Sequence, residues 1–114
     1  MYLPARLDLA AANSATILAD AGLAIFAKVW DTPRALDLGV LNAEGNSLVV
    51  RCVEQAAPSD YLALKTMVAQ GDFVRAFLVY CNPEQPHLSS EIETWPIGDV
   101  ERLATSLASD GASL

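Results

Sequence analysis

Three apolar segments between positions 24 and 55 most constrain how this chain can fold. They read AIFAKVW (24–30), ALDLGVLN (35–42) and SLVVRCVE (47–54), and short polar turns separate them. Short apolar runs that are rich in β-branched residues and bounded by turn residues are typical of strands. Turns of four residues join antiparallel neighbours, so these segments predict three antiparallel strands in sequence.

Helical patterns lie on both sides of this stretch. Apolar and small residues recur at three- and four-residue spacing in three segments, which predicts three helices. Their predicted bounds are Pro4–Ala21, Pro58 to about Gln70, and Val100–Ser109. Glycines at positions 22 and 71 are the expected stops of the first two helices.

Two further strands complete the predicted sheet. The apolar segment 72–80 follows the second helix, and a strand that returns after a helix usually lies parallel to the strand before it. Residues 91–95 predict a short edge strand. We therefore expect all 114 residues to form a single α/β domain, with a mixed sheet of four or five strands flanked by helices.

Composition limits the classes of partner. The net charge is −7, from seven basic and fourteen acidic residues, and only two of the basic residues are lysines. Nucleic-acid binding depends on phosphate contacts from Lys and Arg, so we do not expect the isolated domain to bind nucleic acid. Apolar residues make up 53% of the chain, which favours self-association, although a dense alanine-rich core is the alternative explanation.

The sequence predicts no membrane segment, disulfide, reactive thiol, cofactor site or metal site. No apolar run reaches the length of a membrane helix, and the first residues lack a signal pattern, so the expected location is cytoplasmic without membrane contact. Cys52 and Cys81 lie in predicted strands and are expected to be free thiols. A thiol site of Cys81 with His87 would lack a group that orients the imidazole. We predict no cofactor and no metal.

One acid stands inside the apolar second strand. Asp37 shares a strand face with Gly39, and on the next strand Val49, Arg51 and Val53 share a face. A buried carboxylate in a strand requires a partner, and a metal-dependent nuclease site supplies one. That chemistry also needs a second acid and a lysine on the neighbouring strand, where this chain has Arg51 and Val53.

With this arrangement the chain resembles the restriction-endonuclease-like superfamily and its PD-(D/E)XK motif, most closely the compact members related to methyl-directed type IV restriction nucleases. The resemblance covers about Leu7 to Leu107 and rests on the order and spacing of elements. Asp37 in ALDLGVL matches the catalytic aspartate of the family. Arg51-Cys52-Val53 matches the tripeptide that begins with an acid or glutamine and ends with lysine. The resemblance implies an α-β-β-β-α-β-(β)-α core.

The chain departs from this motif at the positions that carry catalysis. Arg51 replaces the acid or glutamine, Val53 replaces the lysine, and the acid that such nucleases often carry in the first helix would fall near Ala11. An arginine beside a carboxylate favours direct pairing, so we expect an Asp37–Arg51 ion pair where the family binds its metal.

We therefore predict a catalytically inactive domain that acts as a protein-interaction or scaffold module. Its expected partners are a second copy, with which it forms a dimer, or another protein. The resemblance implies an accessory role in a nucleic-acid transaction. One alternative is an active metal-dependent DNA or RNA endonuclease that uses Asp37. Another is a small-molecule-binding α/β domain, which would have a different strand order.

The predicted edge strand is the expected interface. Trp95 lies near its end, and Ile92 and Ile97 flank it. Unpaired strand edges invite pairing, and tryptophan often anchors protein interfaces. The alternative is that Trp95 closes one end of the core of its own chain.

Overall fold

The computed structural model describes residues 5–32, 34–81 and 92–110. Three helices and five strands lie within these ranges. They are α1 (Ala5–Asp20), β1 (Ala24–Thr32), β2 (Ala35–Leu41), β3 (Ser47–Val53), α2 (Pro58–Ala69), β4 (Arg75–Tyr80), β5 (Glu93–Pro96) and α3 (Val100–Asp110), with a 3₁₀ turn at Ile97–Asp99. Pro4 and Glu91, the predicted first residues of a helix and a strand, lie outside the described residues, as do Pro33 of a predicted turn and His87.

The five strands form one mixed sheet in the order β1-β2-β3-β4-β5. The β1–β2 and β2–β3 pairs are antiparallel, whereas β3–β4 and β4–β5 are parallel. The predicted α/β class, with a five-stranded mixed sheet and flanking helices, is confirmed, and the order of the elements is the predicted one.

The end of β1 and the start of β4 are among the strand boundaries that differ from the predictions. The sequence analysis placed Asp31 and Thr32 in a turn, but β1 continues through both because Thr32 pairs with Ala35 of β2. The fourth strand begins at Arg75 rather than at Asp72, because the Asp72 N–H donates to the Met67 carbonyl at the end of α2. Gly71 and Asp72 therefore belong to the end of the helix and not to the start of the strand.

The larger core lies on the face of the sheet that α1 and α3 cover. Every second residue of β2 and β3 points to this side, where the side chains meet the apolar stripes of α1 and α3. The buried residues of this cluster include Leu36, Leu38, Val40, Val50 and Cys52 from the strands, with Leu7, Leu18, Leu103 and Leu107 from the helices.

The opposite face is covered by one helix in the described part of the chain. Helix α2 packs on β3 and β4, and its Leu64 is fully buried beside Val49 and Leu78. On this same side, β1 exposes Phe26 and Val29, with 51% and 56% of their surface accessible. The two faces of the sheet are therefore covered unequally.

None of the helices in the described ranges has the length and apolar character that crossing a bilayer requires.

Candidate functional site

The candidate site is centred on the side chain of Arg51. Strand alternation puts Arg51 on the α2 side together with Val49 and Val53, as the sequence predicted. The β2–β3 register sets Asp37 directly opposite Arg51. Paired residues of antiparallel strands share a face, so the carboxylate and the guanidinium meet above the sheet.

The predicted ion pair between Asp37 and Arg51 is present and has two hydrogen bonds. Arg51 Nε donates to Asp37 Oδ1 at 2.7 Å, and Nη2 donates to Oδ2 at 2.9 Å. This is the fork-to-fork geometry that makes arginine–carboxylate pairs both strong and specific. Arg51 is only 2% exposed, so water screens the pair little.

Two further carboxylates complete the cluster. Arg51 Nη2 also donates to Asp31 Oδ2 at 2.8 Å, and Nη1 donates to Asp60 Oδ1 at 3.2 Å. Asp31 comes from the end of β1 and Asp60 from the first turn of α2. One guanidinium on β3 thus ties together β1, β2 and the amino end of α2.

Asp60 has a second role at the start of α2. Its Oδ2 accepts a hydrogen bond from the Ala57 backbone N–H at 2.9 Å. Ala57 is the residue before the helix and has no side-chain oxygen of its own. The carboxylate of Asp60 therefore satisfies one backbone donor and one guanidinium donor, which fixes the amino end of α2 over β3.

The electrostatics of the cluster are unbalanced. Three aspartates face one arginine, so the group carries an excess of negative charge. Burial by itself lowers the pKa of Arg51, but the hydrogen bonds and charge of Asp37, with the hydrogen bonds of Asp31 and Asp60, raise it above its ordinary value. The guanidinium stays charged at every pH at which the protein is folded.

A cavity of about 890 Å³ opens beside this cluster. It lies between the carboxyl end of β3 and the amino end of α2, and its lining includes Asp31, Arg34, Arg51, Glu54, Ser59 and Asp60. The lining carries both signs of charge.

The residues at this site do not fit a catalytic magnesium centre. The guanidinium of Arg51 lies among the carboxylates where a divalent ion would have to bind, and it takes up both oxygens of Asp37. Val53, at the position where the family has its lysine, is a valine without an ammonium group. Its side chain is 1% exposed and belongs to the α2-side core. Within the described ranges, no three His, Cys, Asp or Glu residues are placed to share a metal ion.

The two cysteines are free thiols, as predicted. Cys52 is buried on the opposite side of the sheet, where burial, helped by the charge of Cys81 and Asp37 and opposed by a Ser14 hydrogen bond, raises its pKa to about 12. Cys81 follows β4 and is partly exposed. His87 lies outside the described residues, so a site of Cys81 with His87 stays an unexamined prediction.

The predicted interface residues lie at the β5 edge of the sheet, but they pack against their own chain. Ile92 is 5% exposed and belongs to the α2-side core. Trp95 and Ile97 are partly buried against the larger core. An interface at this edge stays a prediction.

Sequence reasoning missed Asp31 and Asp60 as members of the cluster. For Asp60 a local signal existed, because an acid in the first turn of a helix that begins with proline is a common cap. Asp31 gave no such signal, because its segment was interpreted as a turn.

Comparison of the chain with protein-family models, with curated proteins and with solved structures finds no match.

Proposed function

We propose that this chain is a catalytically inactive, restriction-endonuclease-like domain that acts as a protein-interaction module and associates with itself. The proposal combines the family resemblance of the sequence with the chemistry of the Arg51 cluster. It assigns the cluster a structural task, which is to hold β1, β2 and α2 together.

One observation carries the proposal. A buried guanidinium with four hydrogen bonds to three aspartates occupies the place where the resemblance implies a metal. A cation that is built into the chain neutralises the same carboxylates that a metal would need, and a guanidinium cannot activate a bound water as a metal ion does. The metal-dependent hydrolysis that the resemblance implies requires such a water.

Two features support association with protein rather than with nucleic acid. The net charge of −7 opposes binding to a phosphate backbone. Five large apolar side chains of the described residues are more than half exposed, namely Leu9, Phe26, Val29, Leu62 and Val74. Contiguous apolar surface is typical of interaction sites, and of these five residues Phe26 and Val29 lie on the same face of β1.

The catalytic half of the proposal can be tested by titration calorimetry with Mn²⁺ and by cleavage assays on plasmid DNA and single-stranded RNA. We expect neither binding nor cleavage. Mn²⁺ binding that disappears in Asp37→Asn, together with cleavage, would instead establish the active endonuclease.

The variant with both Arg51→Gln and Val53→Lys tests the proposed ancestry, because it restores the tripeptide of the family. If the domain has the proposed ancestry, this variant gains Mn²⁺ binding that depends on Asp37. Circular dichroism confirms that it is folded before the titration.

The proposed self-association is tested by sedimentation velocity over a range of micromolar concentrations. A dimer is expected, and a monomer at every concentration contradicts the proposal.

A further inference from the structure

The cavity beside the Arg51 cluster has the dimensions of a small-molecule site. Its volume of about 890 Å³ lies within the range of roughly 300–1,000 Å³ that is usual for ligand pockets. It opens at the carboxyl end of β3, where the chain leaves the sheet and enters α2. In open α/β sheets, ligands commonly bind beyond the carboxyl ends of the strands. Both the volume and the position of this cavity therefore suit a ligand.

One donor of Arg51 has no acceptor in the described part of the chain. The guanidinium has five N–H groups, and its bonds to Asp31, Asp37 and Asp60 use four of them. The remaining N–H belongs to Nη1, because Nε and Nη2 have already donated all of theirs. Arg51 is only 2% exposed and lines the cavity. An oxygen atom inside the cavity can therefore supply the acceptor that this buried donor needs.

Carboxylate oxygens beside this donor are unused. Asp31 binds Arg51 through Oδ2 at 2.8 Å, whereas no hydrogen bond within the described ranges uses its Oδ1, and its side chain is 48% accessible. The exposed carboxylate of Glu54 has no hydrogen bond or ion pair to any described residue. An unused acceptor on Asp31 thus lies next to the unused donor on Arg51.

The charge of the lining favours a cation. Asp31, Glu54 and Asp60 contribute three carboxylates, while Arg34 and Arg51 contribute two guanidinium groups. Asp37 already neutralises Arg51, and Arg34 has an interaction within its own chain. The remaining charge is negative, so the cavity repels a phosphate or carboxylate ligand and attracts an ammonium group.

We infer that this cavity binds a small amino alcohol, a molecule with an ammonium group and a hydroxyl group on neighbouring carbon atoms. The ammonium group donates to Oδ1 of Asp31, and the hydroxyl oxygen accepts from the remaining N–H of Arg51. Amino sugars carry this pair of groups together with further hydroxyls, which can bond to Glu54 and Ser59 of the lining. The inference goes beyond the proposed scaffold function and does not depend on self-association.

Two other classes of ligand fit these groups less well. A divalent metal ion offers no acceptor to the Nη1 donor, and it would lie beside the guanidinium of Arg51. An apolar molecule would leave the same donor without an acceptor and would bury the carboxylate of Asp31 without a further partner.

The inference is tested by titrating the ¹⁵N-labelled full chain with glucosamine and following the amide shifts in its NMR spectrum. A slightly acidic buffer keeps the sugar amine protonated. Glucose lacks the ammonium group, and putrescine has ammonium groups but no oxygen. We expect saturable shifts around the cavity with glucosamine, no shifts with glucose, and weaker binding of putrescine.

Variants of the lining connect the binding to its residues. We expect Asp31→Asn to raise the glucosamine dissociation constant about tenfold, since it removes a charged acceptor, and Glu54→Gln to raise it about two- to fivefold. Asp20→Asn and Glu101→Gln are the matched controls, because both acids are exposed on helices outside the cavity lining. Both controls should leave the constant unchanged.

Circular dichroism shows whether each variant is folded. Asp31 belongs to the Arg51 cluster, so Asp31→Asn can lower stability. The side chain of Glu54 bonds to no described residue, so Glu54→Gln tests the site even if Asp31→Asn does not fold.

Four outcomes contradict the inference. Without saturable shifts from glucosamine, the cavity does not bind an amino alcohol. Putrescine binding as tight as that of glucosamine would show that the hydroxyl has no acceptor role. Equal weakening by the control variants would show attraction by net charge alone. If a short peptide with a free amino terminus binds and glucosamine does not, the cavity takes the end of another protein chain. None of these results changes the sedimentation test of self-association.

Discussion

At the scale of single residues, Arg51 decides what the candidate site can do. Its guanidinium has five N–H donors, and four hydrogen bonds to aspartates use most of them. A buried arginine is costly to desolvate, so it is tolerated only because the carboxylates compensate for the lost water. The same contacts that stabilise it prevent the aspartates from binding a metal.

Removing the arginine leaves three carboxylates close together without a cation. We expect Arg51→Met to lower the free energy of unfolding by about 3 kcal/mol, near the lower end for broken buried pairs because Asp31 can turn towards water. Arg51→Lys should retain part of the stability, since an ammonium group cannot form the two-bond pair with Asp37. Urea unfolding measures both.

The exposed pair of Lys28 with Asp8 provides the control for this comparison. Its side chains are 47% and 55% accessible, so Lys28→Met should cost no more than about 1 kcal/mol. If Arg51→Met costs as little as Lys28→Met, the cluster does not hold the elements together.

Cys52 gives a pH dependence whose direction follows from its pKa. The ordinary value is 9.0 and burial raises the folded-state pKa to about 12, so the folded protein holds this proton more tightly than the unfolded chain does. The contribution to stability is complete below pH 9 and is lost as the pH rises from 9 to 12. Below pH 9 the thiol has no effect on the pH profile.

Urea unfolding as a function of pH tests this difference. Above pH 9, the free energy of unfolding should fall more steeply for the unmodified chain than for Cys52→Ala, by up to about 1.4 kcal/mol per pH unit. Because the comparison uses slopes, the constant cost of the cavity in Cys52→Ala cancels. Parallel profiles would show that Cys52 does not keep its proton in the folded protein.

At the scale of elements, one face of β2 packs in the larger core and its other face lies on the α2 side of the sheet. Leu36, Leu38 and Val40 enter the larger core, while Asp37 and Gly39 face α2. Gly39 leaves room for the Phe26 ring of β1, whose Cζ lies 2.8 Å from where a Cβ would be. The close approach involves the far end of a half-exposed side chain, which can move.

A double-mutant cycle tests this contact. We expect Gly39→Ala to cost up to about 1 kcal/mol in the unmodified chain, because the Phe26 ring must shift. In a Phe26→Ala background the contact with the ring is absent and only the 3.1 Å approach to the Ala27 Cβ remains, so Gly39→Ala should cost less there than in the unmodified chain. Equal costs in both backgrounds would contradict this contact. Thermal and urea unfolding provide the four free energies.

At the scale of the whole molecule, net charge and apolar surface act against each other. Each copy carries a charge of −7, so two copies repel over a distance that salt shortens. The proposed dimer forms only if burial of exposed apolar side chains outweighs this repulsion. The balance also favours a partner that brings positive charge.

The salt dependence of association therefore has an expected sign. Raising the NaCl concentration should strengthen the proposed dimer, because screening weakens the repulsion between two copies that each carry a charge of −7. Sedimentation equilibrium at several salt concentrations measures this dependence. An affinity that falls steeply with salt would show that attraction between opposite charges dominates.

The sequence by itself determined the elements, their order and the contact between Asp37 and Arg51. These features depend on local patterns, because hydrophobic periodicity sets each element and a short turn between antiparallel strands sets the register. The β2–β3 turn spans only five residues, 42–46, so the pairing of the two charged residues was predictable.

Only the tertiary structure decided that Asp31 and Asp60 join this pair and that, among the described residues, α2 covers β3 and β4 but not β1. Asp60 is nine positions from Arg51 in sequence and Asp31 is twenty. Their side chains reach Arg51 only because α2 docks on β3 and β4 and because β1 continues past its predicted end. The docking position of a helix on a sheet depends on packing between residues far apart in the chain, which no local pattern contains.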